Sequence, residues 1–116
     1  MGKAAFKGSE PAEATECVAE LVRFFPAGVP VRIPVLVSKG NSVRAASEQT
    51  VIEFGTPEEV LFVSGLALDF DDTVHVWNVD GSLDIVAKIV AMRLHYGKMA
   101  VAARFTEDVP NWIIKA

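Results

Sequence analysis

Leu83-Asp84-Ile85-Val86-Ala87-Lys88-Ile89-Val90-Ala91-Met92-Arg93-Leu94 is the stretch on which the fold class turns. Leu83, Val86, Val90 and Leu94 have helical spacing, whereas Ile85, Ala87, Ile89 and Ala91 recur at every second residue, as one face of a strand does. The flanks decide for a strand. Asp80-Gly81 supplies the positive φ angles of a tight hairpin turn before it, and His95-Tyr96-Gly97 supplies a second turn after it. A segment framed in this way is one arm of an antiparallel meander. A barrel wall with packing on its outer face accounts for the apolar residues on both of its sides.

Working outward, Met99, Val101, Ala103 and Phe105 alternate with Lys98, Ala100, Ala102 and Arg104 in a last strand, and Trp112-Ile113-Ile114 forms an apolar tail. Toward the N-terminus, strand-like segments run from Glu48 to Phe54, Glu59 to Val63, Leu66 to Phe70 and Thr73 to Asn78. Gly55-Thr56-Pro57, Ser64-Gly65 and Asp71-Asp72 separate them. From Val29 to Ser38, the β-branched Val29, Val31, Ile33, Val35 and Val37 alternate with other types, and Pro30 and Pro34 place this strand at an edge because proline cannot donate to a ladder. Lys39 to Ser47 reads as a polar loop. Short strands at such close spacing indicate a barrel or a sandwich. Ahead of them, Pro11 opens a helix whose stripe is Ala14, Val18, Leu21, Val22 and Phe25, and Pro26-Ala27-Gly28 ends it. The expected organisation is a flexible segment over 1–10 and one domain over 11–116.

The chain has 116 residues, 51% of them hydrophobic and 22% charged, which is enough for one core and too little for two. Its formal net charge of −4 opposes non-specific attachment to nucleic acid or anionic membrane, both of which require a surplus of Lys and Arg. The lone Cys17 has no partner for an internal disulfide, no run of apolar residues would span a bilayer, and Met1 to Glu10 carries no secretory pattern. These features point to a cytoplasmic protein.

The order of elements resembles a PilZ domain, a small β-barrel family associated with the bacterial messenger cyclic di-GMP. The resemblance covers about Phe24 to Lys115. It rests on Pro30-Val31-Arg32-Ile33-Pro34-Val35, on Thr50-Val51-Ile52-Glu53-Phe54-Gly55 leading into Val60-Leu61-Phe62-Val63, on Val74-His75-Val76-Trp77-Asn78 with the Asp80-Gly81 hairpin, on Ala100-Val101-Ala102-Ala103-Arg104-Phe105, and on Pro110-Asn111-Trp112. It implies a mainly β protein, a small antiparallel barrel of PilZ type with a short N-terminal helix. Such domains hold the dinucleotide with an RxxxR motif before the barrel and a (D/N)xSxxG motif on a strand, where guanidiniums reach phosphate and guanine oxygens bidentately.

This sequence departs from both motifs. Arg23 stands at the first arginine and Ala27 at the second, while Thr50 and Ile52 replace the Asp or Asn and the Ser, leaving Gly55 as the match. Arg23, Arg32 and Gly55 are thus the candidate nucleotide-pocket residues, with Arg32 as a substitute donor. The resemblance implies a regulatory or protein-interaction module of cyclic di-GMP signalling, partnered by another protein or by a second copy, with direct messenger binding weak or lost and no other cofactor. Two alternatives stay open: a cyclic di-GMP receptor with a non-standard pocket, and a small barrel that binds nucleic acid.

Other constellations have plainer explanations. Asp69, Asp71 and Asp72 lack the distal glutamate of a calcium loop and suit local hydrogen bonding in a turn, as a solvated turn suits Glu58 and Glu59. His75 and His95 have no accompanying nucleophile motif, so no catalysis is expected, and His75 lines one face of a strand. Trp77, Trp112 and Phe62 could stack bases, but core packing, or an aromatic lid over a barrel end, is the simpler role.

Overall fold

A computed structural model of the protein describes residues 17–40 and 47–115. The helical residues 17–22 (α1) precede β1 (Val29–Lys39), β2 (Ser47–Gly55), β3 (Glu59–Ser64), β4 (Thr73–Trp77), β5 (Asp84–His95) and β6 (Lys98–Phe105). The expected flexible 1–10 segment, the helix start at Pro11 and most of the polar loop after Lys39 lie outside the described residues.

All neighbouring strands pair antiparallel in the order β1-β2-β3-β6-β5-β4, and β1 meets β4 to close a barrel. The fold is therefore mainly β, a closed six-stranded antiparallel barrel with one short helix, as expected. Closure is partial along β1. Leu36 to Lys39 pair with β4, whereas Val29 to Val35 pair only with β2. The prolines thus mark a local edge, not an edge strand. Pro30 and Pro34 are tolerated because that half of β1 has one ladder to satisfy instead of two.

The disputed stretch is β5. Ile85, Ala87 and Ile89 face the barrel interior beside Val35, Val37, Ile52, Phe62 and Val101. A shift in register between Ile89 and Ala91 then turns the strand, so that Val90 and Ala91 pack outside while Met92 packs against the interior. Ala91 therefore does not continue the inward row that its spacing predicts, because the bulge inserts one residue into the alternation.

The outer packing comes from α1. Cys17, Val18 and Leu21 are buried against Leu61 of β3 and Ala100 and Ala102 of β6. Two alanines on the outward face of β6 let the helix approach closely, and full burial of a Leu or Val side chain contributes about 1.5–3 kcal/mol. The apolarity on both sides of β3, β5 and β6 follows from this arrangement, and Val18, Leu21, Val22 and Phe25 of the expected stripe pack on the barrel wall, Ala14 lying outside the described residues.

Leu66 to Phe70 is not a strand but a loop carrying the chain from β3 to β4. Its alternation is real, but β3 already has neighbours on both sides, so no ladder remains for it. Leu68 instead packs into the core cluster, Asp69 N–H donates to Asp72 Oδ2 at 2.8 Å, and Asp71 takes a φ of 69°.

Both predicted turns form. Tyr96 and Gly97 have φ of 51° and 79° between the paired His95 and Lys98, a two-residue hairpin with both central residues left-handed. At Asp80-Gly81 only Gly81 is left-handed, with φ of 78°. Side chains complete this wider turn: Asn78 Oδ1 accepts from Leu83 N–H at 3.0 Å, and Asp80 Oδ1 accepts from Ser82 N–H at 2.9 Å. Hydrogen bonds from the Ser82 backbone, and then from its side chain, lower the carboxyl pKa of Asp80.

Candidate ligand-binding site

The turn from β2 to β3, Thr56-Pro57-Glu58-Glu59, organises one end of the barrel. Thr56 Oγ1 accepts from the backbone N–H of Glu58 at 3.1 Å and of Glu59 at 2.9 Å, and its hydroxyl donates to Glu59 Oε1. Antiparallel register sets Glu59 of β3 opposite Arg104 of β6. Arg104 Nε and Nη2 then reach Glu59 Oε2 at 2.8 and 2.6 Å. Glu59 is buried, so its charge is held by a guanidinium and a hydroxyl in place of water. The pair Glu58 and Glu59 does not form a solvated turn as expected: Glu58 is exposed and Glu59 is not.

The C-terminal tail seals this end. Trp112 Nε1 donates to the carbonyl of Thr56 at 2.8 Å, and Phe105 meets the Trp112 ring edge to face at 5.5 Å between centroids. Trp112 joins the interior cluster at this end, so the core-packing and lid roles expected of it coincide. Gly55 makes room for it. A Cβ there would lie 2.7 Å from Ile114 Cδ1 and 2.8 Å from Trp112 Cζ2.

Beside the sealed end, a cavity of about 400 Å³ opens between the chain leaving α1 and the β2–β3 turn. Phe24, Phe25, Pro26 and Ala27 form one wall, and Thr56 to Glu59 with Arg104 form the other. A second cavity of about 300 Å³ shares Pro57, Glu58 and Arg104 with it and extends to Glu107 and Asp108.

The three sequence-predicted pocket residues do not meet in this space. Arg23 is 74% exposed, with Nη1 3.9 Å from Glu20 Oε1, the same oxygen that receives Arg93 Nη2 at 3.2 Å. Arg32 is exposed on β1, inside the register irregularity between Pro30 and Ile33. Gly55 lies buried beneath the tail. Of the replaced motif positions, Ala27 lines the larger cavity, Ile52 is fully buried in the barrel, and Thr50 donates its hydroxyl to the carbonyl of Val63 at 2.6 Å.

Sequence reasoning missed Thr56, Glu59 and Arg104. The T-x-x-E spacing of Thr56 and Glu59 was a usable signal, since a threonine hydroxyl commonly bonds the backbone three residues on. Arg104, 45 residues further along, carried no local signal.

The remaining groups have structural partners. His75 Nε2 lies 2.6 Å from Asp84 Oδ1 and its ring stacks on Trp77 at 4.5 Å, while the His95 ring meets Tyr96 edge-on. Phe62 is inside the barrel, Trp112 is its lid, and Trp77 stands on the outer face, so the three do not form a stacking platform. Among the described residues no group of His, Cys, Asp or Glu is arranged to hold a metal ion, and no helix is long and apolar enough to cross a membrane. Compared with known proteins, the chain matches no family model and no curated sequence.

Proposed function

We propose that this protein is a PilZ-like regulatory module of a cyclic di-GMP system that acts by binding another protein in the cytoplasm, and that its direct affinity for the messenger is weak or lost. The observation that carries the reading is the state of the cavity beside the β2–β3 turn. Ala27, at the place of the second motif arginine, is part of its wall, and the one guanidinium lining it, Arg104, already serves the buried Glu59. Ile52, at the place of the motif serine, is in the core and out of a ligand's reach. Each missing charge-assisted contact costs about 1.5–3 kcal/mol, and about 1.4 kcal/mol is tenfold in affinity, so their combined loss removes several orders of magnitude.

A binding role is preferred to catalysis because, among the described residues, His75 pairs with Asp84 and stacks on Trp77, His95 meets the Tyr96 ring edge, and neither is hydrogen-bonded to a serine or cysteine. Calorimetric titration of the full chain with cyclic di-GMP tests the proposal. No saturable heat at low micromolar concentration is expected; a stoichiometric complex there refutes the loss of binding and favours the receptor with a non-standard pocket. Ala27→Arg, which adds a guanidinium to the cavity wall, is expected to raise messenger affinity by about tenfold or more, the value of one charge-assisted contact. No change would show that the pocket lies elsewhere.

A further inference from the structure

The larger of the two neighbouring cavities has a wall suited to an apolar side chain, and the smaller one beside it adds acidic residues to the rim. Phe24 is 71% exposed although it is a large aromatic, and Phe25, Pro26 and Pro57 continue the apolar lining beside it. Glu58, Glu59, Glu107 and Asp108 line these two cavities, with Arg104 as the one cation among the described residues. That guanidinium is neutralised by Glu59, and Glu58, Glu107 and Asp108 are exposed along the rim with no ion-pair partner among the described residues. In a concave groove such charges repel an anionic ligand and draw a cationic one.

We infer that this groove docks a basic segment of a partner protein, with arginine or lysine side chains against Glu58, Glu107 and Asp108 and an aromatic or aliphatic side chain seated between Phe24 and Pro57. The inference rests on the reading above that this end of the barrel binds a protein instead of the messenger. The partner's chemistry follows from charge complementarity. A second copy of the chain would bring the same acidic rim and a formal charge of −4 to the contact, which opposes self-association through this face.

Fluorescence anisotropy on the full-length protein tests it, with a labelled peptide of alternating arginine and tryptophan and a matched peptide with glutamate in place of arginine. The arginine peptide is expected to bind saturably and the glutamate peptide at least about tenfold more weakly, with the difference shrinking as salt rises. Glu58→Lys combined with Glu107→Lys, both at exposed positions, should weaken the arginine peptide by about tenfold or more, since like charges would replace the attractive pairs. Phe24→Ser should weaken it while leaving the circular dichroism spectrum unchanged. Equal binding of the two peptides, or arginine-peptide affinity indifferent to the double substitution, overturns the inference. So does a concentration-dependent dimer in sedimentation that Phe24→Ser abolishes, which assigns the groove to a second copy. Cyclic di-GMP titrated in parallel separates the two levels. A tight messenger complex removes the underlying reading, whereas failure of the basic peptide without messenger binding removes this inference alone.

Discussion

Arg104 and Glu59 lie on adjacent strands, and the pair is asymmetric: the guanidinium is about half exposed and the carboxylate is buried. Removal of the arginine therefore leaves a buried negative charge with only Thr56 beside it. Arg104→Ala should lower unfolding free energy by about 1–3 kcal/mol in urea denaturation, the lower end reflecting water that can enter where the arginine stood. Glu59→Gln, which removes the charge and keeps the shape, should cost less. Cys17 poses the opposite case. It is fully buried against β6, its Sγ lies 3.7 Å from the carbonyl of Lys98, and burial pushes its thiol pKa up. The folded chain then keeps its proton at a pH where the unfolded chain releases it. The stabilisation is complete below the unfolded thiol range, about pH 8.5, and is lost as pH rises from there through the folded value. Stability measured at pH 8 and pH 10 should fall less in Cys17→Ala than in the natural sequence.

Among the elements, the β5–β6 hairpin is the one whose local chemistry is least well matched. Its two-residue turn demands left-handed backbone at both centres, and Tyr96 meets that demand at φ of 51° with a side chain that is almost wholly exposed. Asparagine tolerates this conformation better than tyrosine does. Tyr96→Asn should therefore raise the stability by about 0.5–1 kcal/mol, read as an increase in Tm. The turn itself was legible because glycine follows tyrosine between two alternating runs. Leu66 to Phe70 was misread for the complementary reason: alternation reports which side chains have an apolar side to turn toward, and Leu68 does enter the core, but only a free neighbouring ladder makes such a segment a strand. In β5, the shift between Ile89 and Ala91 leaves no trace in the sequence because apolar residues occupy both faces there and give no contrast to locate a bulge.

For the whole molecule, the tail and the barrel are one unit. Trp112 fills the end of the interior, and its indole donates to the turn that also holds Glu59. Trp112→Ala should destabilise by about 3–5 kcal/mol, the range for emptying a large aromatic site. Gly55→Val attacks the same seal from below, since its side chain would collide with Trp112 and Ile114. The loss should again be more than about 1 kcal/mol, and the double variant should fall short of the sum because both changes displace one lid. Thermal denaturation of the three variants checks this.

Periodicity, turn residues and composition by themselves determined a mainly β chain, its strand segments apart from Leu66 to Phe70, the turns at Asp80-Gly81 and Tyr96-Gly97, and the apolar stripe from Val18 to Phe25. Each of these is written in neighbours along the chain, where period, proline and glycine act directly on the backbone. Closure of the barrel, the bulge in β5 and the joining of Glu59 to Arg104 were decided only by the tertiary structure, because register between distant strands brings those residues together. The same holds for the cavity. Arg23, Arg32 and Gly55, the candidates that the resemblance offers, stand apart in space, while Ala27 and Arg104 share a wall that no spacing announced.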